Sequence, residues 1–122
     1  MAHDRSLYQR LGGYDVIAAI IDDFFARMRE DSKFARFSVR SLDSRNRSRQ
    51  LFVDQICALA GGPCIYIGRD MKASHAGLGI TEDEWESSLR HTMTALQKNG
   101  IAEPEQQEFL ALFTQYKADI VE

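Results

Sequence analysis

An all-α fold is predicted by three observations in this sequence. Apolar residues recur at steps of three and four through four long stretches. No stretch of useful length alternates as a half-buried strand does, and glycine pairs at Gly12-Gly13 and Gly61-Gly62 interrupt the helical runs.

Asp4 to Arg10 reads as a short first helix stopped by Gly12-Gly13. Val16, Ile17, Ile20, Ile21, Phe24, Phe25 and Met28 then form the broad apolar face of a long helix, with Asp22, Asp23, Arg27 and Arg29 on its wet side. Ser32 to Phe37 fits one or two further turns presenting Phe34 and Phe37 inward, and the polar Ser38 to Ser48 reads as a loop passing into a helix start. From about Arg47 to Ala60 the period returns, with Phe52, Ile56 and Leu59 on one face, until Gly61-Gly62-Pro63 ends it. An irregular link holding Tyr66 and Gly68 leads to a short helix carrying His75, broken by Gly77 and Gly79. Thr81-Glu82-Asp83-Glu84 is a capping-box start, after which Trp85, Leu89, Met93 and Leu96 form an inner face closed by Asn99-Gly100. Pro104 opens the last helix, with Phe109, Leu112, Phe113, Tyr116 and Ile120 inside.

With 122 residues the chain is expected to form one domain, 1–122, large enough for one core. An apolar content of 44% beside 27% charged residues is that of a soluble globular protein, no apolar run reaches bilayer length, and no signal-type stretch follows Met1. A cytoplasmic location with no membrane partner is the expectation. A net charge of −3 argues against nucleic acid as a partner, although Arg40, Arg45, Arg47 and Arg49 make one region locally basic. Cys57 and Cys64 match no zinc or thioredoxin spacing and are expected as buried small thiols rather than a disulfide. No Ser-His-Asp or Cys-His arrangement, phosphate-cradling glycine loop or working carboxylate pair is found.

His75 carries the most chemistry. On a helix Met71 and His75 project from one face, and a single neutral imidazole aimed into an apolar cavity is what a haem iron takes on its proximal side. A lone histidine on such a face also serves as an ordinary core or capping residue. A plain four-helix bundle would accept the pattern too, but it needs neither the irregular link from Gly61 to Arg69 nor a very short helix with one inward histidine.

Leu7-Tyr8-Gln9-Arg10-Leu11-Gly12-Gly13, Asp23-Phe24-Phe25-Ala26-Arg27, the run Gly61-Gly62-Pro63 through Tyr66 to Met71-Lys72-Ala73-Ser74-His75, and Gly77-Leu78-Gly79-Ile80-Thr81 resemble the group I truncated globins in order and spacing. The resemblance covers almost the full chain, and it implies a two-over-two helical sandwich around haem b with His75 as the proximal ligand. It further implies Phe37, Met71, Leu78, Ile80 and Trp85 as haem contacts, with Tyr66 and Lys72 meeting a propionate. Where the family often places two adjacent phenylalanines at the porphyrin edge, this chain has Phe37-Ser38.

The distal side departs from the family's pattern. The tyrosine that commonly donates to bound dioxygen is matched by Phe25, and a phenyl ring cannot donate. Counted back from Gly61, the distal helix aims Ser48, Phe52, Gln55 and Ile56 at the cavity, with Leu51 where some relatives carry a histidine. Counted forward from Phe25, Gln50 takes the place of Phe52. His3 and His91 are poor candidates for the sixth iron position, and a cysteine thiolate is less suited than a buried thiol. The expected function is reversible binding of diatomic gases (dioxygen, carbon monoxide, nitric oxide) for oxygen binding, transport or scavenging. The rival readings are a redox enzyme such as a nitric oxide dioxygenase or weak peroxidase, and a cofactor-free helical interaction domain. An apolar lining retains dioxygen less well, which puts the dioxygenase in doubt. A reductase docking on the arginine cluster and a monomer or weak dimer complete the expectations.

Overall fold

A computed structural model describes residues 5–37 and 41–122. His3, Asp4, Ser38 and Arg40, on which expectations above fall, lie outside the described residues. In chain order the elements are α1 (Leu7–Leu11), α2 (Tyr14–Glu30), a 3₁₀ turn (Ser32–Phe37), α3 (Leu42–Leu59), α4 (Met71–His75), α5 (Glu82–Lys98), α6 (Glu103–Thr114) and α7 (Lys117–Ile120). Among the described residues every regular element is helical, and none is long and apolar enough to cross a membrane.

The core is built on α2, which packs against both α3 and α5, while α1 and α5 each lie on α6. Ile17, Ile20, Ile21 and Phe24 of α2 are buried against Val53, Ile56 and Cys57 of α3, Ala95 and Leu96 of α5 and Phe109 of α6. Removing this apolar surface from water is the main stabilising term. Arg10 of α1 donates to Glu105 at 2.9 Å and to Glu108 at 2.8 Å, so the start of the chain is fastened to α6.

Three boundaries differ from the sequence reading, and two of them have a capping residue as the cause. The first helix begins at Leu7 because Ser6 caps it in a reciprocal capping box with Gln9. The helix expected from about Arg47 begins at Leu42, capped by Ser41, whose Oγ accepts from Ser44 N at 3.1 Å. Its first turns are polar, so no apolar period announced them. At its other end Leu59 is exposed, while Val53 and Cys57 are buried. The last helix ends at Thr114 and resumes as α7. In α5 the buried positions are Glu84, Trp85, Ser87, Thr92, Ala95 and Leu96, with Leu89 and Met93 half-buried.

The acids at Glu82 to Glu86 were expected to serve capping and solubility alone. Glu84 does close the capping box on Thr81, but it is also buried and paired with Arg36 of the 3₁₀ turn.

Candidate functional site

Asp70 starts α4 by accepting a hydrogen bond from Ala73 N at 2.7 Å, and the helix lasts only to His75. That single turn carries the imidazole back over its own beginning: Nδ1 lies 2.9 Å from the Met71 carbonyl oxygen and 2.9 Å from Ser74 Oγ. A carbonyl only accepts, so Nδ1 carries the proton and Nε2 presents its lone pair. Ser74 Oγ donates its own proton to the same carbonyl at 3.3 Å, and Nε2 has no partner among the described residues. A backbone carbonyl on one ring nitrogen is the arrangement that fixes the other as a metal ligand.

The turn after His75 is held from two sides. Glu122 accepts from Gly77 N at 3.1 Å and Gly79 N at 2.8 Å, and its own N–H donates to the Ile80 carbonyl at 2.8 Å. Gly77 and Gly79 have φ of +79° and +66°, which turn these N–H groups toward one carboxylate. The N–H donors of Gly79 and Gly77 hold the Glu122 carboxyl below its usual range. From the other side Arg36 Nη2 donates to the carbonyls of Leu78 and Gly79 at 3.3 and 3.4 Å.

Of the residues expected near a cofactor on this side, Trp85 is buried, Met71 and Ile80 are half-buried, and Lys72 and Leu78 are exposed. The Tyr66 hydroxyl donates to the Arg69 carbonyl, and burial pushes its pKa up. A phenol has one proton, so Tyr66 in this pose does not also donate to a carboxylate.

On α3, Ser48, Phe52, Gln55 and Ile56 recur at helical spacing on neighbouring faces. Phe52 meets the rings of Phe113, Phe25 and Phe24 at 5.4, 5.7 and 5.9 Å between centroids, edge to face. Gln55 is only 9% exposed, and its side chain has no hydrogen-bond partner among the described residues. Gln50, left open by the sequence, is exposed on the outside of α3, where its amide donates to Tyr14 Oη at 2.7 Å and Asp54 Oδ1 at 3.1 Å.

A cavity of about 500 Å³ opens between α2, the 3₁₀ turn and the start of α3, lined by Phe25, Met28, Phe34, Phe37 and Ser48 and rimmed by Arg29, Arg45 and Arg49. It brings together Phe25, Phe37 and Ser48 of the expected set, while Phe52, Gln55 and Ile56 of α3 and the residues of α4 and its flanks lie outside its wall. Arg49 is paired with Asp22 at 2.8 Å, whereas Arg45 Nε is sealed from solvent without a hydrogen bond.

Cys57 and Cys64 form a disulfide, correcting the expectation of two thiols, so neither sulfur offers a thiolate. The link folds back over the end of α3, with Gly62 N donating to the Cys57 carbonyl at 2.8 Å and the two Cα atoms 5.7 Å apart. A Cβ at Gly62 would run into the Tyr8 ring and Cys57 Sγ, so only glycine permits this approach. His91 bonds to Asp31 through Nε2 at 2.9 Å and packs on Phe34.

Glu122 and Arg36 escaped the sequence reading. Both act across long sequence separations on backbone groups, and no local spacing signals that.

A family model described as bacterial-like globin matches residues 6–122. The chain is 30% identical over 100 residues to the group 1 truncated hemoglobin GlbN of Mycolicibacterium paratuberculosis, covering 82% of this chain and 72% of that one. It is 26% identical over 117 residues to the group 1 truncated hemoglobin GlbN of a Nostoc species, covering 95% and 97%. Among solved structures, the Fe(III) form of truncated hemoglobin from Tetrahymena pyriformis superposes with a TM-score of 0.86 at 19% identity, over 96% of this chain and 98% of that one. The 2/2 hemoglobin of a Synechococcus species gives 0.85 at 22% identity over the same shares. The all-helical two-over-two fold expected from the sequence is the fold of these structures.

Proposed function

This chain belongs to the bacterial-like globin family, which implies a haem cofactor and diatomic gas ligands, and we propose that it holds haem b on His75 Nε2 as one haem domain over residues 1–122. Bound there, haem supplies an iron that takes a gas on the face opposite the imidazole. The observation that carries this reading is the 2.9 Å contact of His75 Nδ1 with the Met71 carbonyl oxygen, which engages the Nδ1 proton and leaves Nε2 free.

The residues present fit such a group. Leu42 lines the cavity with Phe25, Met28, Phe34 and Phe37, and Ile65, Ile67 and Leu78 stand exposed on the link and turn flanking α4. An apolar ring inserted there takes such surface out of water. Gln55, on the distal helix, is 9% exposed and makes no hydrogen bond among the described residues, which leaves its amide available to face a bound gas. Phe25 and Phe52 make the rest of that side apolar. Lys72, exposed at α4, is suited to a propionate by charge.

The role we assign is reversible gas binding, for oxygen binding or scavenging, rather than turnover. With phenyl rings at Phe25 and Phe52, stabilisation of polarised dioxygen falls to the polar side chains of α3, Gln55 and Ser48.

The test is the absorption spectrum of the purified protein, ferric, ferrous and with carbon monoxide, beside His75→Ala. A Soret band that His75→Ala weakens or shifts is expected. Haem uptake by neither form, or identical spectra from both, would overturn the assignment.

A further inference from the structure

We propose that Glu122 is a positioning residue for the proximal imidazole: its carboxylate fills the backbone cradle after α4 and fixes the direction in which His75 points. The inference rests on the reading of His75 as the iron ligand.

A five-residue helix has one cap and almost no cooperative stability of its own, so its orientation is imposed from outside. The neighbour that α4 touches most is α7, two residues before Glu122. Glu122 then makes three bonds to the segment that follows the imidazole, one carboxylate oxygen on Gly77 N, the other on Gly79 N, and its own N–H on the Ile80 carbonyl. Gly77 is two residues from His75, so the clamp acts on the backbone that carries the ring. A Cβ at Gly77 or Gly79 would meet nothing within 4 Å, so the glycines serve the left-handed turn that aims both N–H groups at one anion, and crowding does not require them. Lys117 of α7 is paired with Glu82, which ties this clamp to the frame of α5. A carboxylate accepting two backbone N–H bonds is a strong, directional holder.

Glu122→Ala and the conservative Glu122→Gln test the proposal by two readouts. In the haem-free protein, amide exchange at Gly77 and Gly79 is expected to accelerate roughly tenfold in Glu122→Ala and less in Glu122→Gln, which keeps one acceptor oxygen. In the haem-loaded ferrous protein, the iron–imidazole stretching band is expected to shift and broaden in Glu122→Ala, with Glu122→Gln intermediate. Unchanged exchange shows that the contact is not made, and faster exchange with an unmoved band makes Glu122 merely structural; either overturns the proposal. A wild-type protein lacking any band that His75→Ala abolishes overturns the His75 assignment and the proposal with it. That result is distinct from an unmoved band, which leaves His75 in place.

Discussion

Arg36 Nη2 stands 2.8 Å from Glu84 Oε1, so an exposed turn on one side of the molecule is bonded to a buried carboxylate at the head of α5. The same nitrogen reaches the carbonyls of Leu78 and Gly79. One guanidinium therefore joins three segments: the turn bearing Phe34 and Phe37, the start of α5, and the backbone just past His75. This pair has a pH signature.

Arg36 and, after it, the Thr81 N–H hold the Glu84 carboxyl at about 2, below its ordinary 4.5. A depressed folded-state pKa gives stability that is complete above about 4.5 and lost as pH falls toward 2. Glu84→Gln is expected to lower stability at neutral pH by about 1–3 kcal/mol. Denaturant melts at pH 7 and pH 3 should show the gap between wild type and variant closing on acidification. A constant gap would show that the charge is not the source.

Cys57 and Cys64 close a short loop, for which chain entropy gives a stabilisation of about 2 kcal/mol. The double variant Cys57→Ala/Cys64→Ala should lose about that much. Thiol titration of the unfolded protein without reductant should find no free sulfhydryl, and with reductant two. A full count without reductant would refute the bond.

Phe25 lines the cavity beside Ser48 and offers no donor. Phe25→Tyr is expected to slow dioxygen dissociation by roughly tenfold, about 1.4 kcal/mol for one new hydrogen bond. Stopped-flow displacement by carbon monoxide measures this, and an unaltered rate would place Phe25 away from the gas.

Gln55 separates two costs. Its amide makes no hydrogen bond among the described residues and is not sealed from solvent, so Gln55→Leu gives up no bond within the protein and should leave the haem-free protein about as stable as wild type. If the amide faces the gas, the same variant should release dioxygen several-fold faster. Loss of stability without a change in rate would return Gln55 to the fold.

Phe52 touches three other rings, and Phe52→Ala is expected to cost about 3–5 kcal/mol by thermal or denaturant unfolding. A loss below 1 kcal/mol would show that the rings do not form one packed unit.

Features written in neighbouring residues were legible in the sequence. The Thr81–Glu84 capping box, the apolar face of Ile17, Ile20, Ile21 and Phe24, and the short helix ending in His75 all appear where spacing placed them. The Leu42 start was hidden because Asp43, Asn46 and Arg47 lie on exposed turns where burial imposes no period. The bond between Cys57 and Cys64 depends on a chain reversal at Gly62 that composition does not specify. The choice between Gln50 and Phe52 at one distal position turned on helix register, and a shift of a few residues rotates a side chain from one face to another. Glu122 lies far along the chain from the turn it holds.

Arg10 and Glu108 are separated by 98 residues, and their contact has a kinetic meaning. Neighbours in the chain pair in α1 with α2, α2 with α3 and α5 with α6, and the core is completed by α2 on α5, which lie far apart in sequence. The docking of α1 onto α6 requires closure of nearly the whole chain and carries an entropic cost that only a preformed interior offsets. Contacts that form after the rate-limiting step slow unfolding and leave the folding rate untouched. A contact of this kind, once made after the rate-limiting step, would act as a latch, setting how long the native state lasts and not how fast it is reached.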